Sequence, residues 1–397
     1  MDALTTPSNW QRVRLGDIAE IIGGGTPSTQ ITSFWNGSIN WFTPTEIGIT
    51  KYVYKSQRTI TPLGLKKSSA KLLPIGTILL TSRASIGDCA ILKVVATTNQ
   101  GFQSLIPLEK INNEFLYYLI LTLKNKLLEL ASGSTFLEVS PNKIKNLLIP
   151  LPPLNEQIAI ANILSDVDRY LYSLRALILK KESVKKALSF ELLSQRKRLK
   201  GFNQAWQRVK VKDFGIIITG STPLTQISEY WNGTISWITP TDINDNKDIF
   251  NSERKITQKG LDTIRMIPKN SVLVTCIASI GKNAILRVNG ACNQQINAII
   301  PNKDFNADFI YYLMENNKQY LLGKAGVTAT YIISKQVFEE IDFFVPKDLN
   351  EQIAIANILS ALDHEITSLK NKKRQFDNIK KALNHDLMSA KIRVLKK

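Results

Sequence analysis

Residues Asn155–Ser165 read NEQIAIANILS, and the same eleven residues recur at Asn350–Ser360. The similarity extends further, because TPSTQITSFWNGSINWFTPTEI at 26–47 returns as TPLTQISEYWNGTISWITPTDI at 222–243. The two copies are offset by about 195 residues, whereas solenoid repeats span roughly 20–50 residues. The chain is therefore a tandem duplication in which each copy holds a globular domain and a further element.

The further element is predicted to be a long helix. From Asn155 and Asn350 onward, apolar residues follow at steps of three and four, and no Gly or Pro interrupts either stretch. One helix of about 45 residues cannot bury such a narrow stripe alone. We therefore expect the two helices to pack on each other as an antiparallel coiled coil. The apolar positions are Ile160, Leu164, Val167, Leu171, Leu174, Ile178, Leu188, Leu192 and Leu199, and Ile355, Leu359, Leu362, Ile366, Leu369, Phe376, Leu383, Leu387 and Val394.

The remaining parts of each copy combine short β-rich runs, turns rich in Gly, Pro and Asn, and one helix near 113–132 or 307–323. The predicted fold class is α+β, with two tandem, mostly-β domains and two long helices related by pseudo-two-fold symmetry. The predicted boundaries are 1–153 and 201–348 for the domains, and 154–200 and 349–397 for the helices. Arg393-Val394-Leu395-Lys396 is similar to Arg198-Leu199-Lys200, so we expect the two ends of the repeat to lie close together.

The amino-acid composition limits the range of possible functions. The 397 residues include 51 Lys and Arg against 33 Asp and Glu, for a formal net charge of +18. Such an excess attracts polyanions, of which nucleic acid is the commonest, although a basic but inert surface is the alternative. The two helical ranges each carry ten basic and five acidic residues, which fits either a solvated coiled-coil face or a stripe facing DNA.

The sequence argues against a disulfide framework, a metal site, a membrane span and histidine-based catalysis. Three Cys without CxxC spacing imply neither a disulfide framework nor a zinc site, and no metal site is predicted. The chain lacks a long apolar run and a signal-like start, so we expect a cytoplasmic protein with no membrane contact. Only two His are present, His364 and His385, so most of the chain has no imidazole for catalysis.

Enzyme motifs do not appear in the sequence, and no catalytic residue is predicted. There is no GxxxxGK[ST], HExxH or G-x-S-x-G, and no Asn/Asp-Pro-Pro-aromatic motif of an adenine methyltransferase. The Gly23-Gly24-Gly25 run is interpreted as a turn rather than a cofactor loop. Glu46 and Asp242 occupy matching positions, and we expect them to cap or brace a loop.

Positions that differ between the copies are the candidates for reading DNA bases, while shared residues fit the framework or phosphate contacts. Arg58 and Arg254 are shared and predicted to contact the DNA backbone. An ordinary exposed loop is the alternative at every site. The predicted base-reading residues are Lys51, Tyr54, Lys66, Lys67, Ser82, Arg83, Thr135, Lys247, Lys259, Thr328, Thr330 and Tyr331.

Two domains with the TP…WNG…W…TP[TD] pattern, each followed by a helix that begins with NEQ, resemble the specificity subunit of Type I restriction–modification enzymes. The resemblance covers essentially the whole chain. It implies two target recognition domains that read a bipartite, asymmetric DNA sequence, and helices that set the spacing. It also implies that two modification subunits and two restriction subunits assemble on a non-catalytic chain. This chain would hold no cofactor, and S-adenosylmethionine, ATP and Mg would bind the partner subunits.

The identical helix starts suit two copies of one partner. We therefore predict that Asn155, Glu156, Gln157, Asn350, Glu351 and Gln352 bind the modification subunits. The alternative is a favourable helix start with packed Ile and Leu. For the whole protein, two rivals remain. One is a fused methyltransferase or nuclease, which needs a cofactor or metal motif, and the other is a non-enzymatic coiled-coil interaction protein with an incidental basic surface.

Overall fold

A computed structural model describes residues 7–131, 137–244, 246–327 and 331–394. They form two compact units, one of Met1–Arg175 with Asn371–Lys397 and one of Ala176–Lys370. The division between units falls inside the long helices. Each unit therefore combines one globular domain with one part of each long helix.

The first unit contains ten strands and four short helices among its described residues, and the first long helix begins in it. The strands are β1 Gln11–Arg14, β2 Ala19–Gly23, β3 Trp35–Phe42, β4 Tyr52–Val53, β5 Arg58–Ile60, β6 Ile78–Leu80, β7 Cys89–Leu92, β8 Ala96–Thr98, β9 Gln103–Pro107 and β10 Leu148–Leu151. The helices are α1 Pro62–Lys66, α2 Asn113–Thr122, α3 Lys124–Ala131, α4 Pro141–Lys145 and α5 Leu154–Leu193.

The second unit repeats these elements and adds a short hairpin. Its strands are β11 Trp206–Lys210, β12 Gly215–Thr219, β13 Trp231–Ile238, β14 Asp248–Ile249, β15 Lys255–Ile256, β16 Ser271–Thr275, β17 Asn283–Leu286, β18 Gly290–Cys292, β19 Ile296–Pro301, β20 Gly326–Val327, β21 Tyr331–Ile332 and β22 Asp342–Pro346. Its helices are α6 Gln258–Leu261, α7 Ala307–Asn316, α8 Lys318–Gly323, α9 Lys335–Glu340 and α10 Leu349–Met388.

Both units have the same sheet topology. A five-stranded sheet runs β2-β9-β6-β7-β4 in the first unit and β12-β19-β16-β17-β14 in the second. A three-stranded sheet runs β5-β3-β8 or β15-β13-β18, and the first strand of each domain pairs with its last, β1 with β10 and β11 with β22. The central strands β6 and β16 are buried along their whole length, as expected for apolar runs covered on both faces. The tandem α+β prediction is confirmed.

The long helices begin where the sequence predicts, at Leu154 and Leu349, but end at Leu193 and Met388. Their 40 residues correspond to about 60 Å each. Soon after each helix ends, a residue adopts left-handed backbone angles, Gln195 with φ of 60° and Ala390 with φ of 59°. These residues turn the chain off the helical path, so the apolar pattern beyond them continues without helix. None of the described helices combines the length and apolarity that a membrane crossing requires.

Within each unit, the two long helices run antiparallel. In the first unit, Asp168 pairs with Lys380 and the Tyr170 ring lies 4.6 Å from the Phe376 ring. In the second unit, Lys181 lies 2.8 Å from Glu365, and Lys185, one turn later, pairs with Asp363, two residues earlier. Several of the predicted apolar positions are buried, including Ile160, Leu164, Leu171, Leu174, Ile178, Leu192, Ile355, Leu359, Ile366 and Leu387.

Candidate nucleic-acid interface

A guanidinium group lies against two tryptophan rings in each domain. In the first unit, Cζ of Arg58 lies 3.8 Å from the centroid of the Trp35 ring and 5.2 Å from that of Trp41. The two rings meet edge to face and are buried. Their indole N–H groups donate to the carbonyls of Ser28 and Gly25, at 3.0 and 2.9 Å. These bonds orient the rings, and the rings hold the exposed guanidinium in place.

The second unit repeats the stack. Cζ of Arg254 lies 4.0 Å from the Trp231 ring and 4.9 Å from the Trp237 ring. Among the described residues, neither Arg254 nor Arg58 has an ion-pair partner. A cation–π contact positions the charge without consuming the N–H donors along the guanidinium edge. Both arginines are therefore available to bind an anionic oxygen, and this geometry supports the predicted backbone contact.

Beside each stack, an exposed glutamine is held by a threonine hydroxyl. The Thr26 hydroxyl donates to Oε1 of Gln100, and the Thr222 hydroxyl donates to Oε1 of Gln294 at 2.6 Å. The carboxamide N–H groups remain available for a phosphate or a base edge. Gln100 and Gln294 were not among the predicted site residues, although their identity in the two copies was visible in the sequence.

The glycine run before Thr26 has a packing role. A Cβ atom on Gly24 would lie 1.9 Å from the carbonyl oxygen of Asn99, and one on the equivalent Gly220 would lie 2.1 Å from that of Asn293. Gly23 ends β2, and the residues after it continue without a turn. The predicted turn is therefore wrong, because these glycines allow two backbone segments to approach closely.

The matching carboxylates Glu46 and Asp242 brace loops, as predicted. Glu46 accepts hydrogen bonds from the Thr43 amide at 2.7 Å and its hydroxyl at 2.8 Å, and from the Gln57 amide at 2.7 Å. Asp242 accepts the equivalent bonds from Thr239 and from the Glu253 amide, each at 2.8 Å. Because the oxygens of both carboxylates accept hydrogen bonds from their own domain, Glu46 and Asp242 have a structural role.

Lys51 and Lys247, predicted to read bases, are nearly buried. The Lys51 ammonium pairs with Glu114 and donates to the Tyr118 hydroxyl at 2.9 Å and the Ser165 hydroxyl at 2.8 Å. Burial lowers the pKa of the Lys51 ammonium. Burial also raises the pKa of the Tyr118 hydroxyl, which belongs to the same cluster. Lys247 pairs with Asp308 and donates to the Ser360 hydroxyl at 3.0 Å, so both base-reading predictions are wrong.

The error has an identifiable source. At the general offset of 195 residues, Lys51 falls opposite Asn246 and not opposite Lys247, so the two lysines look like divergent positions. The strands show the correct match, because β4 pairs Val53 with Leu92 and β14 pairs Ile249 with Leu286. In that register Lys51 and Lys247 are equivalent, and each ties its domain to the last residue of the NEQIAIANILS stretch.

Ser82 is also excluded as a base reader. Its side chain is fully buried, and the equivalent Cys276 is buried too. Ser82 instead contributes its backbone, since its N–H donates to the Gly101 carbonyl and its carbonyl accepts from Val139. The divergence at this position therefore concerns packing and not recognition.

The other base-reading predictions concern exposed or undescribed positions. Thr135, Thr328 and Thr330 lie outside the described residues. Lys259 is exposed but forms an ion pair with Glu229 at 2.7 Å. Five further residues are exposed and stay predictions: Tyr54, Lys66, Lys67, Arg83 and Tyr331.

The predicted partner surface is wrong at four of its six residues. Glu156 and Gln157 are buried, and so are Glu351 and Gln352. The Trp10 indole N–H donates to Glu156 at 3.1 Å, and Arg393 donates to it at 3.0 Å. Glu351 binds Trp206 at 3.2 Å and Arg198 at 2.8 Å in the same way.

The glutamines complete this attachment. Gln157 accepts from the Asn112 amide at 2.9 Å, and Gln352 accepts from the Asn306 amide at 3.0 Å. The NEQ sequence thus fastens each helix to its own domain, which explains why Glu and Gln are identical in the copies. Asn155 and Asn350 remain exposed and stay predicted partner contacts. Arg393 also donates to Asn9 at 3.1 Å, which confirms that the two ends of the repeat lie close together.

This architecture defines a class of protein with two copies of one α+β domain, each fastened to antiparallel helix segments. The chain belongs to the family of Type I restriction modification DNA specificity domains, whose model matches residues 7–182 and 203–376. Within that family, it is 43% identical over 166 residues to the Type I restriction enzyme MjaIX specificity subunit of Methanocaldococcus jannaschii. It is 37% identical over 161 residues to the EcoR124I/EcoR124II specificity subunit of Escherichia coli.

These two alignments span 38% and 40% of the relatives' own lengths, and 41% and 39% of this chain. A longer alignment links 98% of this chain to 95% of the putative MjaX specificity subunit of M. jannaschii at 27% identity. Solved structures share the fold. The S subunit from M. genitalium matches with a TM-score of 0.61 and 17% identity over 96% of each chain. The HsdS subunit from Thermoanaerobacter tengcongensis matches with 0.56 and 18% over 98% of each chain.

Proposed function

We propose that this chain is the non-catalytic specificity subunit of a Type I restriction–modification enzyme and binds double-stranded DNA in a sequence-specific way. Each domain reads one half of a bipartite, asymmetric target, and the helices set the gap between the halves. The observation that carries the proposal is the Arg–Trp–Trp stack, which recurs in both domains and presents a fixed cation. Shared cations can fix register on the phosphates, while differing exposed side chains read different bases.

We further propose that two modification subunits dock on the long helices, and that two restriction subunits join the complete enzyme. S-adenosylmethionine, ATP and Mg belong to those partners. Because Glu156 and Gln157 are buried, docking uses the outward face of the repeated stretch. In α5 this face includes Asn155, Ile158 and Asn162, and Ile158 is 41% exposed. An exposed isoleucine beside amides fits a protein partner better than a phosphate.

The decisive experiment is to express the chain with its modification subunit in a host that lacks adenine methylation and to sequence the methylome. We expect one bipartite motif with two unequal halves and a fixed gap. The purified complex should also lose DNA affinity by about 10³-fold between 50 and 200 mM salt if six or more phosphates are bound. No motif, together with absent or salt-insensitive DNA binding, would favour a coiled-coil interaction protein.

The spacing role gives a separate prediction. Removing one turn from α5 shortens it by about 5.4 Å, which corresponds to one or two base pairs of DNA at 3.4 Å each. We expect the methylated motif to keep both halves and to change its gap. The control is a deletion in an exposed loop of one domain. An altered half with an unchanged gap would contradict the spacing role.

A further inference from the structure

One exposed cross-strand pair differs in chemistry between the two domains. In the first unit, Arg83 and Glu138 form an antiparallel β-bridge, and their side chains form an ion pair at 2.8 Å. In the second unit, the equivalent bridge joins Ile277 and Ile332, of which Ile332 is 40% exposed. An exposed charged pair is thus replaced by a partly exposed apolar pair at the same place.

The backbone that carries the pair is the same in both domains. Ala84 and Ala278 follow the first member of each pair, and both adopt left-handed angles with φ of 55° and 61°. Such a conformation is unfavourable for alanine, and it clusters at functional loops. The Thr81 hydroxyl fixes the loop by donating to the Ser85 carbonyl at 2.6 Å, and the Thr275 hydroxyl donates likewise to Ser279. The loop is therefore a rigid frame on which only the side chains change.

A series of direct contacts joins this frame to the Arg–Trp–Trp stack. The N–H of Ser82, next to Arg83, donates to the carbonyl of Gly101 at 2.8 Å. Gly101 follows Gln100, whose carboxamide binds Thr26. Thr26 follows Gly25, which binds the indole of the stack. In the second unit, Cys276 N–H donates to Gln295, the residue after Gln294. In each domain, the loop that carries the pair is thus hydrogen-bonded to the segment that follows the exposed glutamine beside the stack.

The pair does not have an evident role in stability. Its side chains in the first unit are 45% and 33% exposed, and ion pairs with such exposure contribute little to folding. In the second unit, the exposed side chain of Ile332 adds nothing to the stability of the isolated chain. Both arrangements are explained if a partner covers them.

The geometry points to a specificity-determining site, and this inference rests on the proposed function. Arg donates in bidentate fashion to O6 and N7 of guanine, and Glu accepts from N4 of cytosine. We propose that the Arg83–Glu138 pair reads a G·C base pair in the major groove. Isoleucines offer no donors and contact the thymine methyl group, so the Ile277–Ile332 pair reads an A·T base pair.

The test exchanges the pairs in the full chain, expressed with its modification subunit. Arg83→Ile with Glu138→Ile should relax or convert one G·C position in the half read by the first domain. The expected change in preference is about 5- to 150-fold at that position, from the usual discrimination of a bidentate contact. Ile277→Arg with Ile332→Glu should act on the other half only. Methylome sequencing measures both, and the untouched half and gap report that the complex still assembles.

Each exchange leaves the net charge unchanged, so the salt dependence of DNA affinity should stay the same. If the pair instead bound phosphates, the exchange would alter that salt dependence. The matched control removes another exposed pair, Lys335 and Glu339 at 3.4 Å in α9, and should leave the motif intact. If the double variant fails to fold, Arg83→Lys provides a second test. It keeps the charge but loses the bidentate fork, so it should also weaken the preference for G·C at that position.

Different results would overturn the proposed function and the base-pair assignment. If the unaltered chain yields no bipartite motif, the proposed function is wrong. If the unaltered chain yields the motif, and the exchanges and Arg83→Lys all leave it unchanged in sequence and fidelity, the inference is overturned and the function stands.

Discussion

The two units share their interiors and their attachment to the helices, but they differ at the exposed ends of their loops. Glu156 and Glu351 each accept from one Trp and one Arg. Lys51 and Lys247 each donate to the serine that ends the repeated stretch of their own copy. At the loop between β6 and β7, in contrast, Arg83 has an isoleucine as its counterpart. The buried polar contacts between domain and helix are therefore kept in both units, whereas exposed side chains differ at this loop on an unchanged backbone.

A second difference lies in how each unit is closed. Arg198, which binds Glu351, lies 153 residues before it in the chain, whereas Arg393 lies 237 residues after Glu156. Leu192 and Leu193 complete the core of the second unit, and Leu387 and Met388 complete that of the first. The first unit therefore depends on two distant parts of the chain for a core that the second builds from one continuous range.

The largest expected effect comes from removing the buried glutamate that attaches a long helix to its domain. Glu156→Ala removes a buried carboxylate and leaves the Trp10 N–H without its acceptor and the Arg393 guanidinium without its ion-pair partner. We expect a loss of about 3 kcal/mol in the unfolding free energy of the first unit, from the usual cost of a charged hydrogen bond and an unpaired buried donor. Hydrogen exchange followed by mass spectrometry should localise the loss to that unit.

Glu351→Ala is the matched variant, and it should destabilise the second unit by a similar amount. Equal loss of protection in both units from either variant would contradict a separate attachment of each domain. Exposed Asn155→Ala serves as the control on the same helix turn and should leave hydrogen exchange unchanged.

A smaller effect distinguishes the units by alkaline pH. Burial raises the pKa of Cys276 and Cys292 to about 12, from 9.0. Above pH 9 these thiols ionise in the unfolded chain but not in the folded one, so the unfolded chain binds fewer protons and stability falls as pH rises. Each thiol should cost about 1 kcal/mol between pH 9 and 10.

The first unit has a single buried thiol, Cys89, whose pKa burial also raises. Replacing Cys276 with Ser and Cys292 with Ala should flatten the pH dependence of the second unit more than Cys89→Ala flattens that of the first. Thermal unfolding between pH 7 and 10 measures the slopes. Identical slopes in the wild type and the double variant would show that the thiols ionise while folded.

The smallest expected effect comes from the left-handed alanines of the two equivalent loops. A left-handed alanine costs about 1–2 kcal/mol, and Ala84→Gly and Ala278→Gly each remove that cost. Part of the gain is offset because glycine has more conformational freedom in the unfolded chain. We expect each to raise the unfolding free energy by about 0.5–1 kcal/mol, measured by calorimetry. The same substitution at Ala90, a buried strand residue with ordinary backbone angles, should be destabilising. Destabilisation at residue 84 or 278 would show that the loop is not strained.

Much of the fold followed from pattern alone. The repeat predicted two copies of one domain, and the periodic apolar residues predicted both helix starts and their antiparallel packing. The helix ends were missed because Gln195 and Ala390 leave the helix without a glycine to mark the place. The site was harder, because a gap of one residue between the copies hid the equivalence of Lys51 and Lys247 and made a shared buried lysine look like a divergent surface one.

The duplication, the domain class, the positive charge and the pairing of Arg58 with Arg254 are predictable from sequence, since they depend on residue identity and spacing. Which polar residues face inward is not predictable in this way. Glu156 and Gln157 were predicted to be exposed, yet Trp10, Asn112 and Arg393 come from distant parts of the chain and satisfy them. Whether a polar side chain is exposed depends on partners far away in the chain, because a charge or amide is buried only where donors and acceptors meet it.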